Sequence, residues 1–347
     1  MIPDNVLVSE NMGQDLRVFL SASSYSKVGV LVDENTETYC LPHIIEVMGD
    51  HWLIRIASGE EKKNIATCEQ IWGALTEASF DRKSLLINLG GGVIGDMGGF
   101  CAATYKRGID FVNLPTTLLS QVDASVGGKL GIDFHGLKNH IGSFQDPRKI
   151  LVYPEFLHTL SKAELRSGYA EIIKHCLIAD ADHWRKISKE SLEEQDWKTH
   201  VIHSIGIKAA IVEQDPYERG LRKLLNFGHT IGHAIESTFL ETENKLLHGE
   251  AIAIGMICES YLSTKKAGLP ETDLEEIVAY IREIYGLHEI GKNYFDEIVK
   301  LCGQDKKNLG NVINCTLLKR IGEGMIDIPI STGEVLDSIF YYNHLNK

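Results

Sequence analysis

Three histidines stand close together late in the chain: His229 and His233 in Leu-Asn-Phe-Gly-His-Thr-Ile-Gly-His-Ala-Ile-Glu at 225–236, and His248 in Leu-His-Gly-Glu at 247–250. On a helix, a spacing of four residues puts His229 and His233 on one face, one turn apart. Stacked imidazoles suit a divalent metal. Zinc held by His and carboxylate side chains, with one position open, activates water and alcohols. Spacing does not choose among the three histidines. A single His on a helix is more often a hydrogen-bonded residue with no catalytic duty. Three within twenty residues, among glycines that permit close approach, favour a metal.

A second stretch with chemical potential is Gly90-Gly91-Gly92-Val93-Ile94-Gly95-Asp96, which contains Gly-x-Gly-x-x-Gly between a predicted strand and a predicted helix. That context supports a diphosphate lying over backbone amides at a helix N-terminus. Triple glycine could equally be a tight packing turn. The layout departs from the usual dinucleotide fingerprint, because the residue twenty positions on is Asp110, ahead of a strand instead of at its end. Asp33, ending the predicted strand 27–32, is the better ribose-binding carboxylate, with a helix cap ahead of Thr36 as its ordinary alternative. The expectation is a dinucleotide site of unusual layout.

These residues must be positioned by two kinds of architecture. Predicted strands at 27–32, 51–57, 84–89, 111–114 and 149–152 alternate with predicted helices at 36–48, 65–78, 116–125 and, after the glycines at 90–92, to about 104, which implies a mainly parallel, Rossmann-like sheet with helices on both faces. From about residue 157 the pattern turns to long helical periods at 164–178, 197–212, 225–239, 250–265, 273–285 and 295–302. A hairpin at 312–317 and 325–330 and a closing helix at 334–342 follow. We therefore expect an α/β nucleotide-binding domain over residues 1–155 and a mainly α-helical metal- and substrate-binding domain over 156–347. A cleft between two such domains is a favoured ligand site.

Composition bounds the partners. The formal charge of −13 disfavours nucleic acid. An anionic small substrate would need a local cluster of cations working against that overall field. No apolar run is long enough to cross a bilayer, and the N-terminus lacks the basic and apolar regions of a signal peptide, so a cytoplasmic protein is expected. Seven cysteines, scattered and never in a Cys-x-x-Cys pair, argue against a disulfide framework or a thiolate zinc site.

Several longer motifs then carry a resemblance. They are the glycine stretch at 90–96, Thr-Tyr-Lys-Arg-Gly at 104–108, Pro-Thr-Thr-Leu-Leu-Ser-Gln-Val-Asp-Ala-Ser-Val-Gly-Gly-Lys at 115–129, Ala-Glu-Ile-Ile-Lys-His at 170–175, the histidine stretch, and Asp-Lys-Lys-Asn at 305–308. In this order, over nearly the whole chain, the sequence resembles the 3-dehydroquinate synthase family of sugar-phosphate cyclases. The resemblance implies a metal, zinc or else cobalt, on Glu171, His229 and His248, with His233 near the leaving phosphate. It implies NAD on Asp33, Asn35, Glu60, Lys63, Gly91, Gly92, Val93, Asp96, Thr116, Thr117, Leu119 and Asp123, with Lys138 and Thr159 also at cofactor positions. Substrate would meet Arg107, Asp123, Lys129, Asn139, Lys174, Lys208, Glu218, Arg222, Asn226 and Lys306.

That set answers the charge problem. Lys129, Lys174, Lys208, Arg222 and Lys306, each alone an ordinary surface charge, would together hold a carboxylate and a phosphate. The spacing of Glu171 and Lys174 would present both from one helix face, or make an ordinary ion pair. By resemblance, the reaction turns 3-deoxy-D-arabino-heptulosonate 7-phosphate into 3-dehydroquinate and phosphate, through transient oxidation by NAD, phosphate elimination, reduction, ring opening and intramolecular aldol closure. A homodimer is expected. The rivals are another sugar-phosphate cyclase and a metal-dependent polyol dehydrogenase. A non-catalytic binding protein would require missing site residues, and none is missing. One departure is Leu130, where the family usually carries Thr beside the substrate lysine.

Overall fold

The structure is a computed structural model and describes residues 2–135, 137–240, 242–303 and 312–345; Lys306 and the 305–308 motif lie outside the described residues. The chain divides into two compact units, Met1–Ser161 with Trp197–Ala209, and Lys162–Asp196 with Ala210–Lys347.

The first unit is built on six strands: β1 (Val6–Val8), β2 (Val28–Val32), β3 (Trp52–Arg55), β4 (Leu85–Gly90), β5 (Asp110–Pro115) and β8 (Lys149–Val152). All pair in parallel, in the order β1-β8-β5-β4-β2-β3. A parallel sheet covered on both faces needs continuous apolar strands, and every residue of β4, Leu-Leu-Ile-Asn-Leu-Gly, is buried. Its residues alternate between the two faces. Leu86 joins Leu31, Ile54 and Phe111 beneath α3 (Ile65–Glu77) and α4 (Gly92–Thr104). Leu85, Ile87 and Leu89 join Val30, Val32 and Leu114 beneath α1 (Met12–Ser21) and the turns after α2 (Glu34–Tyr39). Glycines bring α4 down onto the sheet: a Cβ at Gly98 would stand 2.1 Å from Asn88 Oδ1, and one at Gly99 2.5 Å from Leu130 Cδ2.

The structure departs from the sequence pattern in several places. The helix expected over 36–48 stops at Tyr39 and gives way to 3₁₀ turns, because Pro42 cannot donate the next helical hydrogen bond. The helix expected over 116–125 is reduced around a π turn at Ser120–Ala124. Features with no expectation include the three-residue edge strand β1, helices α1 and α6 (Ala181–Ile187), and the antiparallel hairpin β6 (Lys129–Phe134) with β7 (Leu137–Phe144).

The second unit is mainly helical, with α5 (Lys162–Ala179), α6 (Ala181–Ile187), α8 (His229–Phe239), α9 (His248–Lys266), α10 (Glu271–Tyr285), α11 (Phe295–Gly303) and α12 (Thr332–His344). Its hairpin is β9 (Ile313–Arg320) and β10 (Glu323–Ile330). Helix α7 (Trp197–Gln214) carries the segment 197–209 that groups with the first unit. The helix expected over 225–239 is broken: a 3₁₀ turn at Leu221–Asn226 is capped by Phe227, Gly228 follows with a left-handed φ of +79°, and α8 begins afresh at His229. No helix among the described residues is long and apolar enough to cross a membrane.

Candidate active site

In the second unit, α8 and α9 each open on a histidine, His229 and His248. Glu171 faces both from the buried middle of α5. His229 Nε2 lies 3.3 Å from Glu171 Oε1, and His248 Nε2 lies 3.1 Å from the same oxygen. The candidate ligand atoms of this trio all stand within 4.8 Å of one another. Outer contacts set the imidazole orientations. His229 Nδ1 is 3.0 Å from the Phe227 carbonyl, so the proton belongs on Nδ1 and the Nε2 lone pair faces the trio. His248 Nδ1 stands 3.4 Å from the buried carboxylate of Glu236. A carboxylate and two neutral imidazoles make a donor set suited to zinc with an open position.

Glycine and a cap align the two helices. A Cβ at Gly249 would fall 2.0 Å from the Ser167 carbonyl oxygen, so only glycine lets the start of α9 lie against α5. Glu250 Oε2 accepts the Leu247 N–H at 2.9 Å and its other oxygen pairs with Arg166, fixing the turn that delivers His248. Lys174, on the turn after Glu171, is buried and ion-paired with it. Burial would raise the Glu171 carboxyl, but Lys174 and the two imidazoles outweigh it and hold it well below the usual carboxylate range. Burial lowers His229. Burial would also lower His248, yet Glu236 and Glu171 push it up to about 10 in the metal-free protein.

His233 is exposed on α8, its ring 4.9 Å from that of His229 and 5.8 Å from that of His248. It forms a second possible ligand group with Glu236 and His248. Nearby in the sequence, Asn226 donates to Glu218 at 2.8 Å, and buried Arg222 donates to the Pro216 carbonyl at 2.5 Å.

In the first unit, the expected cofactor residues collect at the C-terminal ends of neighbouring strands. Asp33 follows β2, Gly91 and Gly92 follow β4, and Thr116 and Thr117 follow β5, leading to Leu119. Between β2 and β4 the chain reverses its direction across the sheet, the switch point where open α/β sheets bind ligands. Gly91 is the N-cap of α4, which carries Gly92, Val93 and Asp96 in its opening turns and has no side-chain cap. A small pocket is lined by Gly91, Gly92, Gly95, Asp96, Asn88 and Ser120. Asp33 does cap α2, accepting the Thr36 N–H through Oδ1 at 2.8 Å; Asn35 lies one residue into that helix. Thr159 ends a 3₁₀ turn at Pro154–Thr159 and donates to the Phe156 carbonyl.

Other expected residues pair with one another. Buried Lys63 donates to Asp96 at 2.6 Å and to Asn139 Oδ1 at 2.7 Å, and Lys138 pairs with Glu60 at 3.5 Å. Burial raises the Asp96 carboxyl, offset by Lys63. Lys208 ion-pairs with Asp123. Lys129 opens β6, exposed, while Leu130 beside it points into the core over Gly99. A side chain there fills space under α4, which accounts for an apolar residue at this position. Arg107, Asn139 and Glu218 are three of the seven non-glycine residues with positive φ among those described. Such backbone strain concentrates at functional sites.

Asp133, Glu236 and Glu250 had no expected role. Asp133 accepts the Asn139 N–H at 2.7 Å and so holds its left-handed backbone. For Glu236 a signal existed in the sequence, because it stands three residues after His233.

Known proteins similar to this chain fall in one family and share its fold. The family profile described as 3-dehydroquinate synthase N-terminal matches residues 53–167, and that described as 3-dehydroquinate synthase C-terminal matches residues 168–308. The 3-dehydroquinate synthase of Parabacteroides distasonis is 40% identical over 347 residues, covering 99% of this chain and 98% of that one. Among solved structures, 2-epi-5-epi-valiolone synthase from Streptomyces hygroscopicus, with NAD+ and Zn2+ bound, superposes with a TM-score of 0.88 at 24% identity, over 99% of this chain and 98% of that one. A 2-deoxy-scyllo-inosose synthase complexed with carbaglucose-6-phosphate, NAD+ and Co2+ gives 0.85 at 22% identity, over 97% and 96% of the two chains. These two structures share the fold.

Proposed function

The chain belongs to the 3-dehydroquinate synthase family, and on that premise we propose that it converts 3-deoxy-D-arabino-heptulosonate 7-phosphate into 3-dehydroquinate and phosphate with NAD and a divalent metal, zinc or cobalt. The observation that carries the reading is the convergence of the His229 and His248 Nε2 atoms on Glu171 Oε1. The proposal places NAD in residues 1–155 and the metal with most of the substrate contacts in 156–347.

Bound at Glu171, His229 and His248, the metal supplies Lewis-acid polarisation of a substrate hydroxyl. Bound at the glycine loop, NAD supplies reversible hydride transfer. The Gly91 and Gly92 amides at the head of α4 receive the diphosphate. Asp33, with Oδ1 on the helix cap, offers its second oxygen to the ribose. Lys63 donates to Asp96 and orients the Asn139 amide. Lys174 keeps Glu171 anionic in its buried setting. Arg107, Lys129, Lys208, Arg222 and Lys306 receive the substrate carboxylate and phosphate, with Asp123, Glu218 and Asn226 ordering the polar contacts around them. His233 exchanges a proton at the leaving phosphate.

The test is incubation with the heptulosonate phosphate and catalytic NAD. Phosphate and dehydroquinate should appear in equal amounts with no net NADH. NADH accumulating from a simple polyol, without phosphate release, would overturn the reading in favour of a polyol dehydrogenase. A homodimer in the cytoplasm completes the proposal, and a monomer mass by light scattering at assay concentration would remove the dimer.

A further inference from the structure

The start of α8 presents a problem of its own. Its N-cap is Gly228, which has no side chain with which to satisfy the first buried amides. Nor could a side chain be added there: a Cβ at Gly228 would stand 2.5 Å from Met256 Cγ, and one at the facing Gly255 would stand 2.0 Å from the Gly228 carbonyl oxygen. The close crossing of α8 on α9 therefore excludes the usual N-cap side chain.

Glu259 of α9 supplies what is missing. Its side chain is fully buried. Oε2 accepts the Gly228 N–H at 2.6 Å, and Oε1 accepts the Ile231 N–H at 3.1 Å. Those are the N-cap and N3 amides, the two that a capping box satisfies with two side chains of the helix's own opening turn. Here one carboxylate from a neighbouring helix takes both, and its charge sits at the positive end of the helix dipole. His229 lies at N1, between the two bonds.

We propose that Glu259 is a positioning residue for the metal centre, holding the first turn of α8, and with it His229, in the orientation that aims Nε2 at Glu171. The proposal rests on the metal reading given above. Gln in place of Glu keeps the volume but has one acceptor oxygen, and its NH2 group would face a backbone N–H. The bidentate cap is then lost while the packing is kept.

The test uses metal-free full-length protein, with zinc affinity measured by competition against a chromophoric chelator and the visible spectrum recorded with Co2+. Glu259→Gln should weaken zinc binding about tenfold, within the range for contacts that orient metal ligands, and should change the Co2+ spectrum. Tyr280→Phe on α10 serves as a stability control, because it removes hydrogen bonds to Tyr169 and to the Ile187 carbonyl without touching the cap. It should lower Tm and leave zinc affinity and the Co2+ spectrum unchanged. Wild-type zinc affinity and spectrum in Glu259→Gln would overturn the proposal. So would an equal loss of affinity in Tyr280→Phe at matched Tm, which would make the effect one of general stability. His229→Ala, measured alongside, should lose more affinity than Glu259→Gln. Wild-type affinity in that variant would overturn the ligand assignment itself, a failure distinct from that of the cap.

Discussion

Removing the imidazole at position 229 and removing the one at position 233 should have opposite consequences for metal content. His229→Ala takes away a ligand whose Nε2 points at Glu171, so bound metal and activity should both fall to background by elemental analysis and phosphate release. His233→Ala leaves the trio intact and should retain stoichiometric metal, while turnover falls by roughly two orders of magnitude, in line with the loss of a proton-transfer group. Metal-free His233→Ala protein would instead favour the grouping of His233, Glu236 and His248. In the first unit, Asp133→Ala should release the strained Asn139 backbone and raise the substrate KM about tenfold, the worth of a hydrogen bond to a charged group. An unchanged KM would show that Asn139 holds its shape without Asp133. Residues of this scale were legible in the sequence when their chemistry depends on type and short spacing, as for His229, His233 and the 90–96 glycines. Asp133 and Glu259 were not, because their partners are chosen by a hairpin register and a helix crossing that no local period records.

Helix crossings in this protein depend on glycine at the contact. Gly249→Ala would drive a methyl group into the Ser167 carbonyl oxygen, 2.0 Å away, and so separate the start of α9 from α5. We expect weaker zinc binding with both histidines and Glu171 still present, which titration with a chelator would reveal. Wild-type affinity would mean that α9 tolerates the shift. Gly98→Ala acts in the other unit, where the new methyl meets Asn88 Oδ1 and Leu31 Cδ2. Prising α4 from the sheet should cost about 1–3 kcal/mol, the usual range for overpacking, measured by chemical denaturation. At this scale the long elements were legible, since β2, β4, β5, α5 and α9 have lengths and periods that dominate their neighbours. The break before α8 was not, because the apolar period of 225–239 runs straight through Gly228 and only the backbone angle there reveals the stop.

Across the whole molecule, all seven cysteines are free and buried. Burial, with the nearby Asp33 charge, pushes the Cys40 thiol up to about 12, and burial likewise raises Cys101, Cys176 and Cys258. A thiol with a raised pKa stays protonated and unreactive as pH rises through 8. Because all seven are buried, the native protein should react with no disulfide reagent on the time scale of minutes at pH 8, whereas the denatured chain should titrate seven thiols. Rapid labelling of any thiol in the native state would contradict this. The thiol pattern, the parallel sheet and the helical second half could all be foreseen from composition and period. The assignment of Trp197–Ala209 to the first unit could not, because that segment sits inside the uninterrupted period of α7. The assignment bears on how the protein is made. On the ribosome, α5 with Glu171 emerges before the first unit has received its last segment, and β1 must wait for β8, some 140 residues later, to gain its only sheet neighbour among the described residues. Neither unit can be finished before the other is begun, so a nascent chain whose emerged part ends at Ser161 should be cut by proteases that spare one extended until residues 197–209 have left the exit tunnel.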